Sequence, residues 1–178
     1  MNMVASLITA VTTVAVAGLA YLLNQRSQLV QERRQARLLR VSRQIRELYG
    51  PLHVMVDINE RIWEKLRESQ LPAAPHRRPD LATENWRRWR DQALMPGNRA
   101  MRDLIIEHAD LVPDYLVPEP LLMFCSHVAS VEVQLAAESD GVHVRSLVPH
   151  PGAPYVRYVR DTYGHLKTEQ QKLVRAVD

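Results

Sequence analysis

Residues Met3 to Leu23 form an uncharged, largely apolar run of 21 residues, and seven arginines follow it between Arg26 and Arg46. As a helix rising roughly 1.5 Å per residue, the run covers about 31 Å, which matches the roughly 30 Å hydrocarbon core of a bilayer. Ser6, Thr9, Thr12 and Thr13 dilute its hydrophobicity, but inside a helix their hydroxyls bond back to backbone carbonyls. A cleaved signal peptide is the rival reading. It calls for a basic leading segment, whereas Met1-Asn2-Met3 carries no charged side chain, although the AGLA stretch ending at Ala20 imitates a cleavage site. The expectation is a transmembrane anchor over residues 1–24.

Charge sets the direction of that anchor. Arg26, Arg33, Arg34, Arg37, Arg40 and Arg43 face one nearby acid, Glu32, and the other flank has no basic side chain. The positive-inside rule places the N-terminus outside and residues 24–178 in the cytoplasm. Cys125 is the single cysteine, which excludes an intramolecular disulfide and agrees with a reducing compartment. Residues 24–49 hold seven arginines against Glu32 and Glu47, a net +5, so a chain of formal charge +3 leaves −2 for everything else. The basic character is thus juxtamembrane. No nucleic-acid partner is expected on that distribution.

Beyond the anchor, few glycines, one phenylalanine and a recurring helical period argue for an all-α bundle of four to five helices. An Arg-rich juxtamembrane helix spans 25–49, with Val30, Leu38, Val41, Ile45 and Leu48 on one stripe, and the bundle proper spans 50–178. Gly50-Pro51 predicts a break or kink, because proline removes a ladder donor and clashes with the preceding turn. Helices are expected over 52–69, with Leu52, Met55, Val56, Ile62, Trp63 and Leu66 inward, and over 82–94. Pro96-Gly97 then interrupts, with Asn98 capping a continuation through Met101, Leu104, Ile105 and Leu111. Pro72, Pro75 and Pro79 mark 71–80 as a loop, and Pro113, Pro118 and Pro120 mark the next connection. Further helices are expected over 119–138 (Leu121, Phe124, Cys125, Val128, Val131 and Leu135) and 154–177 (Val156, Val159, Tyr163, Leu166, Leu173 and Val177). Between them VHVRSLV (142–148) has the alternation of a short strand.

The motifs LYGPL (48–52), paired Trp86 and Trp89, MPGNRAM (95–101) and FCSHVASVE (124–132) resemble an uncharacterised family of bacterial single-pass membrane proteins with a cytoplasmic helical bundle. The likeness covers most of residues 45–175 and implies no activity, because none is assigned to that family.

Four polar residues interrupt apolar stripes: Asn59, His108, Glu132 and Gln170. A buried polar group without a partner costs about 1–3 kcal/mol, so mutual hydrogen bonds among at least two of them are expected. They form either a register-fixing network or a small-ligand site with His108 and Glu132 as base and acid. The membrane-proximal Arg26, Arg33, Arg34 and Arg37 are a solvated face and topology signal, or a surface for an acidic partner. Anionic lipid attracts a basic residue by about 1 kcal/mol only within about 8 Å. Arg33 stands roughly 15 Å beyond Leu23 on an upright helix, so lipid reaches little of the run. Trp86 and Trp89, at helical spacing, read as core. Ala5, Thr9, Thr13 and Ala17 make a small-residue ridge suited to self-association in the membrane.

Catalytic patterns are sparse. No HxxxH, ExxH or CxxC spacing occurs, so no metal or other cofactor is expected, and His143, Arg145 and His150 form at most a polar loop group. Arg145 to His150 and Arg102 to His108 match the Arg-(x4–6)-His spacing of helical ribonucleases of the HEPN type, a short signature. The sequence therefore points to a membrane-anchored interaction module, a scaffold, adaptor or complex subunit without catalysis, whose partners are the lipid bilayer and either a protein or a second copy. The alternatives are a membrane-tethered HEPN-like ribonuclease or effector, and a ligand sensor using the polar cluster.

Overall fold

The computed structural model describes residues 3–69 and 84–175, with the side chains of residues 18, 21–22, 24–68 and 86–175. The chain is all-α and its described residues make four helical rods. The 71–80 loop and Val177 lie outside the described residues.

The first rod joins helix α1 (Met3–Arg43), a π-helical turn (Gln44–Tyr49) and helix α2 (Gly50–Ser69) without interruption. The break expected at Gly50-Pro51 does not occur. Pro51 has no N–H and would press against the carbonyl four residues back in a regular helix. The chain answers by widening the preceding turn, so that the Gly50 N–H bonds to the Ile45 carbonyl five residues back. That wide turn crowds Gly50: a Cβ there would sit 2.5 Å from the Ile45 oxygen, which is why glycine precedes the proline.

The same device recurs in the second rod. Helix α3 (Glu84–Trp89), a π turn (Arg90–Leu94) and helix α4 (Met95–Glu107) run on through Pro96, with the Met95 N–H bonded to the Arg90 carbonyl. The expected interruption at Pro96-Gly97 is therefore absent, and Asn98 caps nothing. It is buried inside the helix instead. A short 3-10 turn (Ala109–Leu111) leads to helix α5 (Glu119–Ser139), and a loop leads to helix α6 (Ala153–Arg175). No strand forms over 142–148. Ser130 of α5 takes up that backbone, its Oγ accepting the Leu147 N–H at 2.7 Å and the Val148 N–H at 3.3 Å.

The core draws on every rod: Leu48, Tyr49, Leu52 and Val56 from the first, Met101 and Ile105 from the second, Leu121, Phe124 and Val128 from α5, and Tyr155, Val159 and Leu166 from α6. Phe124 and Tyr155 stack face to face with centroids 4.1 Å apart. The bundle grips α1 only from about Leu38 onward. Val30, expected on the buried stripe, is 57% exposed, and Tyr21, Leu22 and Leu29 are exposed with it. Two polar contacts fix the grip: Arg37 to Glu169 at 2.6 Å and Gln170 to Ser42 at 3.0 Å.

Among the described residues, Glu119–Ser139 is the one helix found long and apolar enough to cross a membrane by length and composition. One face of it packs into the core, while Leu122 and Val133 are 48% and 62% exposed. Leu121, Phe124 and Val128 are fully enclosed, and Glu132 and Glu138 hold arginines of α4 and the second π turn. Helix α1 contains the apolar run Met3–Leu23, most of whose side chains lie outside the described ones.

Candidate functional site

A cleft of about 960 Å³ opens between all four rods. Helix α2 supplies Asn59, Glu60, Trp63 and Arg67, and the second rod supplies Trp86, Arg90, Leu94, Met95 and Asn98. Helix α5 adds His127, Val131 and Gln134. The final loop adds Ser146, His150 and Gly152, and α6 adds Ala153, Val156, Arg157, Arg160 and Asp161. This is the size and mixed character of a small-ligand site.

Its floor is set by amide pairing. Asn59 donates to Asn98 Oδ1 at 2.6 Å across α2 and α4. Gly97 lets the helices come this close, since a Cβ there would meet the Asn59 side-chain oxygen at 3.3 Å. Of the aromatic residues, Trp63 and Trp86 meet edge to face with centroids 5.6 Å apart. Trp89, expected in the core with Trp86, is 42% exposed.

The histidines have fixed tautomers. His127 Nδ1 lies 2.8 Å from the Val148 carbonyl, which only accepts, so Nδ1 carries a proton. His150 is the reverse: the Gly152 N–H donates to its Nδ1 at 2.9 Å, leaving the proton on Nε2. Gly152 adopts φ +59, a left-handed conformation suited to glycine, and this aims its N–H back at the ring. The two imidazoles stand edge to face at 5.0 Å, with Phe124 and Tyr155 on the other sides of His150. That enclosure, with His127 nearby, pushes the His150 pKa down to about 4. The residue still has an exposed edge on the cleft. Water there moderates the size of the shift but leaves its direction, since the Gly152 N–H also opposes protonation of Nδ1.

Charge on the wall is unevenly committed. Arg90 binds Glu138 at 2.8 Å and Asp91 at 2.7 Å, and Arg160 binds Asp57 at 2.7 Å. Arg67 and Arg157 have no acidic partner among the described residues. Glu60 and Asp161, the lining acids, equal Arg67 and Arg157 in number, so the lining charges outside the Arg90 and Arg160 ion pairs balance. The first turn of α6 also lines the cleft, through Ala153 and Val156.

Only one of the four polar residues marked in the sequence reaches this cleft, namely Asn59. Glu132 lies on α5 between Arg99 at 2.8 Å and Arg102 at 2.6 Å, and those guanidiniums hold its carboxyl below the usual range, the bond to Arg99 first. His108 ends α4. Gln170 is at the α1–α6 contact, bonded to Ser42 and Lys167. Each of the three with a side-chain hydrogen bond thus finds a partner outside the foursome. Arg102 turns to Asp103 and Glu132 rather than to His108. Arg145 and His143 are exposed on the loop.

Sequence reasoning missed the polar groups that are most buried. Gln44 donates to the Leu111 carbonyl at 2.8 Å, and its position three after Val41 and four before Leu48 was the available signal. Tyr158 donates to Asp114 at 3.3 Å, so the enclosed Tyr49 hydroxyl, 3.1 Å from Tyr158, donates to that oxygen in turn. Burial raises the Tyr49 pKa, which keeps this donor protonated. Among the described residues no three His, Cys, Asp or Glu side chains gather to hold a metal. No family model, curated protein or solved structure matches the chain.

Proposed function

We propose that the chain is a membrane-anchored helical binding module without catalysis of its own, and that its binding element is the cleft. Met3–Leu23 spans the bilayer with the N-terminus outside, and α1 carries the bundle into the cytoplasm. The exposed segment of α1 from Tyr21 to about Arg37 supports this reading, because it separates the apolar run from the bundle by roughly 20–25 Å.

One observation carries the binding part. All four rods contribute to one cleft, and its wall includes Arg67 and Arg157, which have no acidic partner among the described residues. Helix α6 links that site to the stalk, lining the cleft with Val156 to Asp161 and holding α1 two turns later through Glu169 and Gln170. Occupancy of the cleft thereby acts on the helix that leaves the membrane, which suits a sensor or adaptor. The nuclease alternative has less support, since the guanidinium of Arg102 is engaged by acids.

A photo-crosslinking amino acid at Trp86 of the full chain, in native membranes, tests the proposal against the same group at Val133, which is 62% exposed on α5. An adduct specific to position 86 is the expected result. Equal labelling from both positions, or labelling from 133 alone, removes the cleft from the account.

A further inference from the structure

We infer that the cleft takes a small, uncharged planar ring carrying a lactam or carboxamide group. This rests on the reading of the cleft as the binding element and names the chemistry it selects.

The amide half follows from the floor. Asn98 is 7% exposed, and its Oδ1 is occupied by the bond from Asn59. Its Nδ2 has no partner among the described residues, yet it is not sealed from solvent, so it opens onto the cleft that the residue lines. Asn59 is the complement. Its Nδ2 is taken up by Asn98, and its Oδ1 is left as an acceptor on the same floor. Gln134 on the wall donates to Glu138, which leaves its Oε1 as a second uncharged acceptor. A ligand that displaces water from the floor must offer an acceptor to Asn98 and a donor to Asn59 or Gln134, because a buried amide left unpaired is costly. A lactam or carboxamide carries both groups side by side. A hydrocarbon carries neither.

The planar half follows from Trp63 and Trp86, an edge-to-face pair beside Leu94, Met95, Val131 and Val156. Indole faces of this kind are covered best by another flat ring. Neutrality follows from the remaining charges. Arg90 and Arg160 are held by acids, and Glu60 and Asp161 match Arg67 and Arg157 in number. A net charge of either sign therefore gains from one pair and loses to the other. A cleft of about 960 Å³ between four rods suits a compact molecule of this kind.

The test uses the full chain in nanodiscs with three probes of similar size: 2-quinolone, its N-methyl derivative and 2-naphthoate, read by calorimetry and by tryptophan fluorescence. 2-Quinolone is expected to bind at least about tenfold more tightly than either of the others, because methylation removes its donor and naphthoate adds a charge. Asn98→Asp keeps the oxygen that accepts from Asn59 and removes the Nδ2 donor, and it is expected to lower 2-quinolone affinity about tenfold. If that variant does not fold, the comparison of 2-quinolone with its N-methyl derivative on the parent chain decides alone. Equal affinity for those two overturns the amide assignment, as does a folded variant that binds 2-quinolone unchanged. Tighter binding of naphthoate overturns neutrality, and failure of all three probes to bind overturns the ligand class. The wider reading of the cleft then stands or falls on the crosslinking at position 86, which needs no chosen probe.

Discussion

His150 joins the architecture of the cleft to its protonation. Its ring is neutral near pH 7 because three aromatic neighbours and the Gly152 N–H disfavour the imidazolium. The pKa is depressed on folding, so the unfolded chain binds the proton first as pH falls. Stability from this residue is complete above about 6.5 and is lost as pH falls from there towards about 4. Water at the exposed edge screens the penalty, so the expected contribution is about 1 kcal/mol rather than the full value of such a shift. His150→Gln removes a titrating group from that window. The fall in Tm between pH 6.5 and 4 should shrink by about 2–4 °C in the variant. Superimposable pH profiles for the variant and the parent chain would show that His150 ionises as freely folded as unfolded.

At the level of elements, the two proline sites show what was legible and what was not. The helix ends at 119–138 and 154–177 were readable because apolar residues recur at helical spacing up to a proline or glycine. Both ends of 119–138 and the start of 154–177 fall within a residue of Glu119–Ser139 and of Ala153, while position 177 lies outside the described residues. Gly50-Pro51 and Pro96-Gly97 were also visible, but a broken helix and a widened one carry the same residues. The choice lies with tertiary packing: along the continuous rod Leu48, Tyr49 and Leu52 are all in the core. The same limit hid the cleft. Trp63 and Trp86 are far apart in sequence, and no periodicity shows that α2 and α3 meet. Loop 142–148 has the alternation of a strand, yet a single hydroxyl, Ser130, captures its backbone. Gly50→Ala separates the widened turn from a regular one. In a regular helix the change stabilises by about 1 kcal/mol. Here the new Cβ meets a carbonyl oxygen, so a net loss of about 1–2 kcal/mol is expected. Chemical denaturation gives the sign directly, and a gain in stability would mean that the π turn is not present in solution.

The whole molecule is a helical bundle held by α6 to a long helix that begins in an apolar run and emerges through arginines. Every statement about what the cleft meets depends on where that helix puts it. The Arg37–Glu169 contact lies roughly 21 Å beyond Leu23 along α1, outside the reach of lipid charge. Under the proposed anchoring by Met3–Leu23, the bundle stands clear of the bilayer surface and the arginines nearer the apolar run set direction. Fractionation of cells expressing the full chain, with an alkaline carbonate wash of the membranes, tests this placement most directly. The account predicts that the chain stays in the washed membrane pellet at its full mass. Recovery of the intact chain in the soluble fraction, or of a shortened chain outside the cell, would contradict it.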